Sequence, residues 1–302
     1  MASNPPRIRR CGTMEVHHRL LETVPTYRLH LAELQSASSA FLASDMALTR
    51  VGLTAIPVVV HVVYTTAAEN ISMTQIRSQI RVLNRDFRAT NPDRNKVPAP
   101  WRGLVADSRI TFTLASVDPD GKPTSGVTRT KTTNSSFSAH DAVKAAATGG
   151  ADPWPSDRYL NIWVCTLSDQ LLGYAQFPGG PATTDGVVIL NTAFGTVGAA
   201  AAPFNGGRSS THEIGHWLNL HHIWADTLDC SGTDYVDDTP NAQAPNYGKP
   251  KFPHVSCNNG PNGDMFMNFM DYVDDDAMHM FTTQQVARMQ VALDTARASI
   301  GT

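Results

Sequence analysis

Apolar positions along this chain follow two rhythms. Residues 56–64, Ile-Pro-Val-Val-Val-His-Val-Val-Tyr, form a nearly unbroken β-branched run, the pattern of a strand buried on both faces of a sheet. The compact domain is expected to begin there. Ser72 and Gln75 stand at capping-box spacing, and Ile76, Ile80, Leu83 and Phe87 then recur at helical intervals, which predicts an amphipathic helix. Strands are expected over 109–117, 159–167 and 186–190, with a short helix over 141–148. Residues 173–180 close on Pro and Gly and suit an edge strand. Strands alternating with helices indicate an α/β layer. Beyond residue 225 the pattern dissolves into Pro, Gly, Asn and Asp. It returns only in 282–299, where Val286, Met289 and Leu293 mark a final helix. Residues 1 to about 50 carry short apolar stretches without a strong strand and read as a leader appended to the domain.

Composition changes this picture little. With 302 residues, 41% hydrophobic and 17% charged, the chain is expected to fold around a sizeable core. A formal charge of -3 gives no electrostatic grip on nucleic acid or anionic lipid, so neither is expected as a partner. No stretch approaches the roughly 20 apolar residues of a membrane span. The start, Met-Ala-Ser-Asn-Pro-Pro-Arg, lacks the apolar core of a secretory signal. Charge is uneven, however: ten aspartates between 226 and 276 face only Lys249 and Lys251 and call for cations or water. The four cysteines, Cys11, Cys165, Cys230 and Cys257, allow three complete pairings. Cys165 lies in the apolar run 160–165 and is expected to be an inert core thiol.

The chemistry is concentrated in 210–222. His212-Glu213-Ile214-Gly215-His216 is a His-Glu-x-x-His pattern, and two histidines four apart project from one helical face toward one metal. Ser210 three residues before Glu213 also has capping-box spacing, which leaves a purely structural role for the glutamate open. His222, six residues past His216, completes an extended zinc motif. A ligand at that distance requires a sharp turn, and Asn219 at the turning position tolerates a left-handed backbone second only to Gly. His221 is a rival that the spacing disfavours. Three imidazoles leave tetrahedral Zn²⁺ an open position, the arrangement of a catalytic site, with Glu213 as general base.

Farther on stands Asn268-Phe269-Met270-Asp271-Tyr272, similar to the Met-turn that follows such motifs. With the wording of 212–224, and segments 56–64, 171–180, 234–240 and 264–282, the chain resembles the pappalysin family of metzincin metallopeptidases. The resemblance implies a latent zinc endopeptidase, exported from the cell and acting on polypeptides. It implies an upper subdomain over 51–222, a twisted, mostly parallel sheet with backing and active-site helices. Below it would lie an irregular lower subdomain over 223–302 that ends in a helix, with the substrate cleft between. By the same likeness Met270 would floor the metal and Tyr272 would donate to the oxyanion. Gly173, Tyr174, Ala175 and Gln176 would pair with substrate backbone. Asp234, Asp237, Asp238 and Thr239 would bind structural Ca²⁺, and Cys230 would bridge to Cys257. In Arg9-Arg10-Cys11-Gly12-Thr13 the likeness implies a cysteine switch within a pro-segment over 1–50. Cys11 would take the open zinc position, Arg9 and Arg10 would favour its thiolate, and maturation would cut near Arg50. A catalytically dead binding protein and a zinc hydrolase of non-peptide substrates are the competing readings. Retention of Glu213 and Tyr272 opposes the first, and the edge strand opposes the second. Substrate identity, oligomeric state, glycosylation at Asn70 or Asn134, and the residue preferred after the cut stay open. Asp274, Asp275, Asp276 and Met278 are candidates to line that last pocket.

Overall fold

The structure, a computed structural model, describes residues 8–44, 50 and 52–301. The N-terminal start and most of the connector around Thr49 and Val51 lie outside the described residues.

The β-branched run becomes β1 (Thr54–Tyr64), followed by α3 (Met73–Phe87) after two leader helices. Ser72 caps α3 by accepting from the Gln75 amide, as its spacing predicts. β2 (Ile110–Leu114), β3 (Val127–Lys131), β4 (Leu160–Cys165), β5 (Gly173–Ala175) and β6 (Val187–Leu190) complete one sheet of order β2-β1-β4-β6-β5, with β3 beside the second half of β1. All pairings are parallel except β5 against β6. β5 is therefore the edge.

The sheet is covered on both faces, which is why β1 is apolar over most of its length. Val58, Val60 and Val62 face the core built with Ile76, Leu83 and Phe87 of α3 and with Ile214 and Trp217 of α4 (Arg208–Trp217). On the other face Val63, Trp163, Cys165 and Val188 pack with Tyr174, Phe137 and Val143. Cys165 is a buried free thiol there, as expected. After α4 the chain is irregular, with a short 3₁₀ turn at Asp275–Ala277, until α5 (Thr283–Asp294).

One expectation needs correction, and two features went unpredicted. The leader holds two helices, α1 (Thr13–Thr23) and α2 (Tyr27–Leu42). Val16, Leu20 and Tyr27 fill the second core, and Leu34 packs on Val291 and Ala292 of α5. Their apolar stripes are narrow because a sheet and a helix complete them. Residues 141–148 are two 3₁₀ turns, not one helix, because Asp141 is left-handed and Ala145 is extended. Lys144 is drawn inward to Asp141 and the Thr184 carbonyl. β3 reads Val-Thr-Arg-Thr-Lys, with no fully buried position, and so carries no apolar signal. No described helix is long and apolar enough to cross a membrane.

Candidate active site

α4 starts at Gly207 in left-handed backbone, and Ser210 lies within the helix rather than at its cap. That removes the capping-box explanation of Glu213. Every residue of α4 is buried. Gly215 makes this possible, since a Cβ there would sit 2.5 Å from the Met270 Sδ. Met270 thus lies directly under the helix that carries the histidines.

Beyond Trp217 the helix closes with the Leu220 amide on the Gly215 carbonyl, and Asn219 adopts φ +73°, the left-handed turn its position predicts. The turn returns His222 to its partners. The three Nε2 atoms lie 3.0, 3.2 and 3.3 Å apart. Each Nδ1 is engaged elsewhere: His212 on the Phe269 carbonyl, His216 on the Leu220 carbonyl and His222 on Asp226. With the protons held at Nδ1, three lone pairs converge on one point. Burial, and then the neighbouring imidazoles, push the pKa values of His212 and His216 well below the usual range, so both are neutral. Such an arrangement is repulsive without a cation. Its spacing fits zinc, whose tetrahedral nitrogen ligands at about 2.0–2.1 Å lie about 3.3 Å apart. His221 stands outside the cluster, stacked on Phe177.

The fourth group is Cys11. Its Sγ and the three imidazole nitrogens lie within 4.8 Å of one another, and among the described residues this is the one such group of metal-type side chains. The leader arrives there by pairing with the sheet edge: Leu172 N donates to the Arg10 carbonyl and Gly12 N to the Gly173 carbonyl, both at 2.9 Å. The thiol lies 3.2 Å from Glu213 Oε2, and the Cys11 amide donates to Tyr272 Oη at 3.3 Å. Thr13 Oγ1 accepts from Ala175 N at 2.8 Å and donates to Glu213 Oε2 at 2.9 Å. Burial pushes the Glu213 carboxyl up to about 7, while these two hydrogen bonds pull it back. Of the four predicted edge residues, Gly173 and Ala175 offer outward atoms. Tyr174 sits opposite Val188 in the ladder, and Gln176 N donates inward to the Gly186 carbonyl.

The two arginines do not flank the thiol as expected. Arg10 pairs with Glu15. Arg9 is buried, donating to Asp275, Ser209 and the Val273 carbonyl beneath the Phe204 ring. Both have nearer partners than sulfur. Burial and then Glu213 push the Cys11 thiol well above its ordinary value, so the metal rather than these arginines would stabilise thiolate. Asp275 receives Arg9 on one oxygen and the Gly206 and Arg208 amides on the other.

In the lower half Cys230 and Cys257 are joined, with S–S 2.07 Å. The Asp234–Thr239 loop does not gather its carboxylates as their close spacing suggests. Thr239 donates to Asp234, the Asp237 amide donates to Gln284, and the Asp238 carboxylate accepts from Thr282 and the Gln284 amide at the start of α5. Thr13, Asp226 and the Arg9–Asp275 pair were not assigned these roles from sequence. Asp226, four residues past His222, had a readable spacing; the others meet across more than 150 positions.

A cleft with three converging imidazoles, an adjacent buried carboxylate and a Met beneath the helix is the site of a metzincin-fold metallopeptidase. The chain belongs to the M43 peptidase family, that of pregnancy-associated plasma protein-A, whose family model matches residues 147–294. An extracellular metalloprotease of Pyricularia oryzae is 31% identical over 96% of this chain and 90% of its own. One from Verticillium alfalfae is 31% identical over 99% and 93%. Among solved structures, the E225A mutant of Tannerella forsythia promirolysin superposes with a TM-score of 0.90 at 43% identity, covering 97% of both chains. Mature mirolysin in complex with a cleaved peptide gives 0.82 at 49% identity, over 83% of this chain and 97% of that one. The protein is a zinc metalloendopeptidase.

Proposed function

We propose that this endopeptidase is made as a latent zymogen, exported, and matured to cut extended polypeptides on the amino side of Arg or Lys. The observation that carries this is the leader lying in the cleft, with a thiol beside three Nε2 atoms and a buried arginine on Asp275. Residues 8–44 act as the chain's own inhibitor, and the catalytic domain runs from about residue 51.

In the mature enzyme His212, His216 and His222 hold zinc through Nε2, and Cys11 adds its thiolate in the latent form. Bound there, zinc supplies a Lewis acid that polarises a carbonyl and makes water acidic. Glu213 accepts the proton of the attacking water and returns it to the leaving amine. Burial in the leader-covered cleft pushes this carboxyl upward, the direction that favours taking up a proton. Tyr272 donates its hydroxyl to the developing oxyanion. Gly173 O and Ala175 N, now engaged by Gly12 and Thr13, bind the substrate backbone. Asp275, held by two amides, receives the basic side chain that follows the cut. Structural calcium in the 234–240 loop belongs to the same reading, carried by the close spacing of its acidic residues; binding would draw Asp234 from Thr239 and Asp238 from the start of α5.

Matured protein should digest casein, and N-terminal sequencing of the products should return Arg and Lys. A zinc chelator or Glu213→Ala should stop digestion, and Asp275→Asn should abolish the basic preference. Products without basic N-termini would refute the specificity; activity in Glu213→Ala would refute the mechanism.

A further inference from the structure

Arg288, on α5, is 1% exposed and ranks among the largest fully buried side chains, yet no salt bridge to it is formed among the described residues, Asp234 acting on it only at longer range. Burial brings its pKa down to about 10. A guanidinium placed this way needs strong acceptors. Nε and Nη2 both donate to the Asn219 carbonyl, at 3.3 and 3.2 Å. Nη1 reaches Gln35 of α2 at 3.0 Å, and the guanidinium lies over the Tyr235 ring at 5.2 Å.

Asn219 is the left-handed residue that turns the chain between the second and third histidines. The next residue, Leu220, offers the carbonyl that accepts His216 Nδ1 at 2.7 Å, and His222 follows two positions later. The peptide that Arg288 grips therefore orients one imidazole and aims another. A neighbouring arginine completes the anchorage: Arg297 Nε donates to the Trp217 carbonyl at 2.8 Å, with its guanidinium 3.8 Å over the Trp217 ring. These carbonyls lie in the last residue of α4 and just past its end, where helix geometry leaves them without internal partners and where positive charge is favoured.

We propose that Arg288 is a positioning residue for the metal site, fixing the Asn219 turn and through it the His216 and His222 rings. It lies outside every motif of the family resemblance, 69 positions from the carbonyl it holds. The proposal rests on the three-histidine zinc reading. Partners behind metal-bound imidazoles are generally worth about 10- to 100-fold in metal affinity.

The test uses the full-length chain carrying Cys11→Ala and Glu213→Ala, so that the imidazoles alone hold zinc and self-cleavage is removed. Zinc dissociation constants are measured by competition with a chromogenic chelator for this parent and for Arg288→Met, Arg288→Lys, Gln290→Met and His222→Ala. Gln290 is the control for burial, on the same helix at 1% exposure but bonded to the Ser108 carbonyl. Arg288→Met should weaken zinc about 10- to 100-fold, with Arg288→Lys between it and the parent. Gln290→Met should lower Tm and leave zinc affinity unchanged. If Arg288→Met lowers Tm while zinc affinity equals the parent's, the role is structural and the proposal falls. If Arg288→Met does not fold, Arg288→Lys decides: weakened zinc and a shifted visible spectrum of the cobalt-substituted site support the proposal, and parent-like values in both overturn it. If His222→Ala holds zinc as the parent does, the three-histidine reading fails, and this proposal with it.

Discussion

Thr13 uses one oxygen twice, accepting from the Ala175 amide of the sheet edge and donating to Glu213. In the proposed zymogen it would thereby occupy a substrate-facing donor and the general base while Cys11 takes the metal position. Hydrogen bonds to charged groups contribute about 1.5–3 kcal/mol, enough for roughly tenfold or more in an equilibrium. With the connector made uncleavable, the Cys11→Ala precursor should hydrolyse a peptide substrate, and adding Thr13→Val should raise that rate about tenfold. A Cys11→Ala precursor as silent as the unaltered one would show that the thiol is not the latch. The histidines separate equally sharply. His222→Ala should abolish activity of the matured enzyme, whereas His221→Ala, which loses ring contacts with Phe177 and Tyr235, should keep most of it. Equal loss in both would count against the ligand assignment. Gly173 is constrained by the same crowding, since a Cβ there would lie 2.9 Å from Glu213 Cγ and 2.7 Å from the Val188 carbonyl.

Among the elements, β1 carries a histidine where its neighbours are valines. His61 is 1% exposed and satisfied at both nitrogens, by Thr128 at 2.8 Å and Asn161 at 2.9 Å. Burial is the main cause that lowers its pKa to about 4. The folded chain therefore binds this proton less readily than the unfolded one. The stability it contributes is fully present above about 6.5, the unfolded value, and is lost as pH falls through about 4. Denaturation midpoints of the unaltered chain and of His61→Gln should converge between pH 7 and pH 4; a constant difference would mean that His61 does not titrate in that window. At the other end of the chain, Thr282 caps α5 through a full capping box with Gln285, and Asp238 adds its carboxylate to the same helix end. Thr282→Ala should cost about 1 kcal/mol, read as a lower midpoint in urea. Element existence was largely readable, since α3, α5, β1 and β4 follow their apolar periods. The leader helices were not, because Val16, Leu20 and Leu34 are too sparse to mark a face by themselves.

At the scale of the whole molecule, the leader is tied at widely separated points. Arg9 is paired with Asp275 of the lower half, Cys11 to Thr13 lie on the sheet edge, Arg19 pairs with Asp141, and Leu34 packs on α5. The lower half, with little regular structure, is held by the Cys230–Cys257 bridge and the contacts of α5. An ion bound only by the folded state adds stability that grows with the logarithm of its concentration over its dissociation constant. A calcium-selective chelator should accordingly lower Tm by several degrees while zinc stays bound, and an unchanged Tm would dispose of the calcium site.

The sequence alone determined that His212, His216 and His222 can converge, because four-residue spacing on a helix and a left-handed Asn are local geometry, already present within His212–His222. It also determined the buried strand and the capped helices, which are periodic within a dozen residues. What it could not determine is which distant groups those elements bring together. That Asp275 receives Arg9, that Thr13 attends Glu213, and that Arg288 holds the Asn219 turn all depend on packing across 69 to 266 positions. Burial decided the protonation as well: desolvation in the assembled cleft lifts Glu213 to about 7 and keeps His212 and His216 neutral, and desolvation exists only once the chain has closed around them.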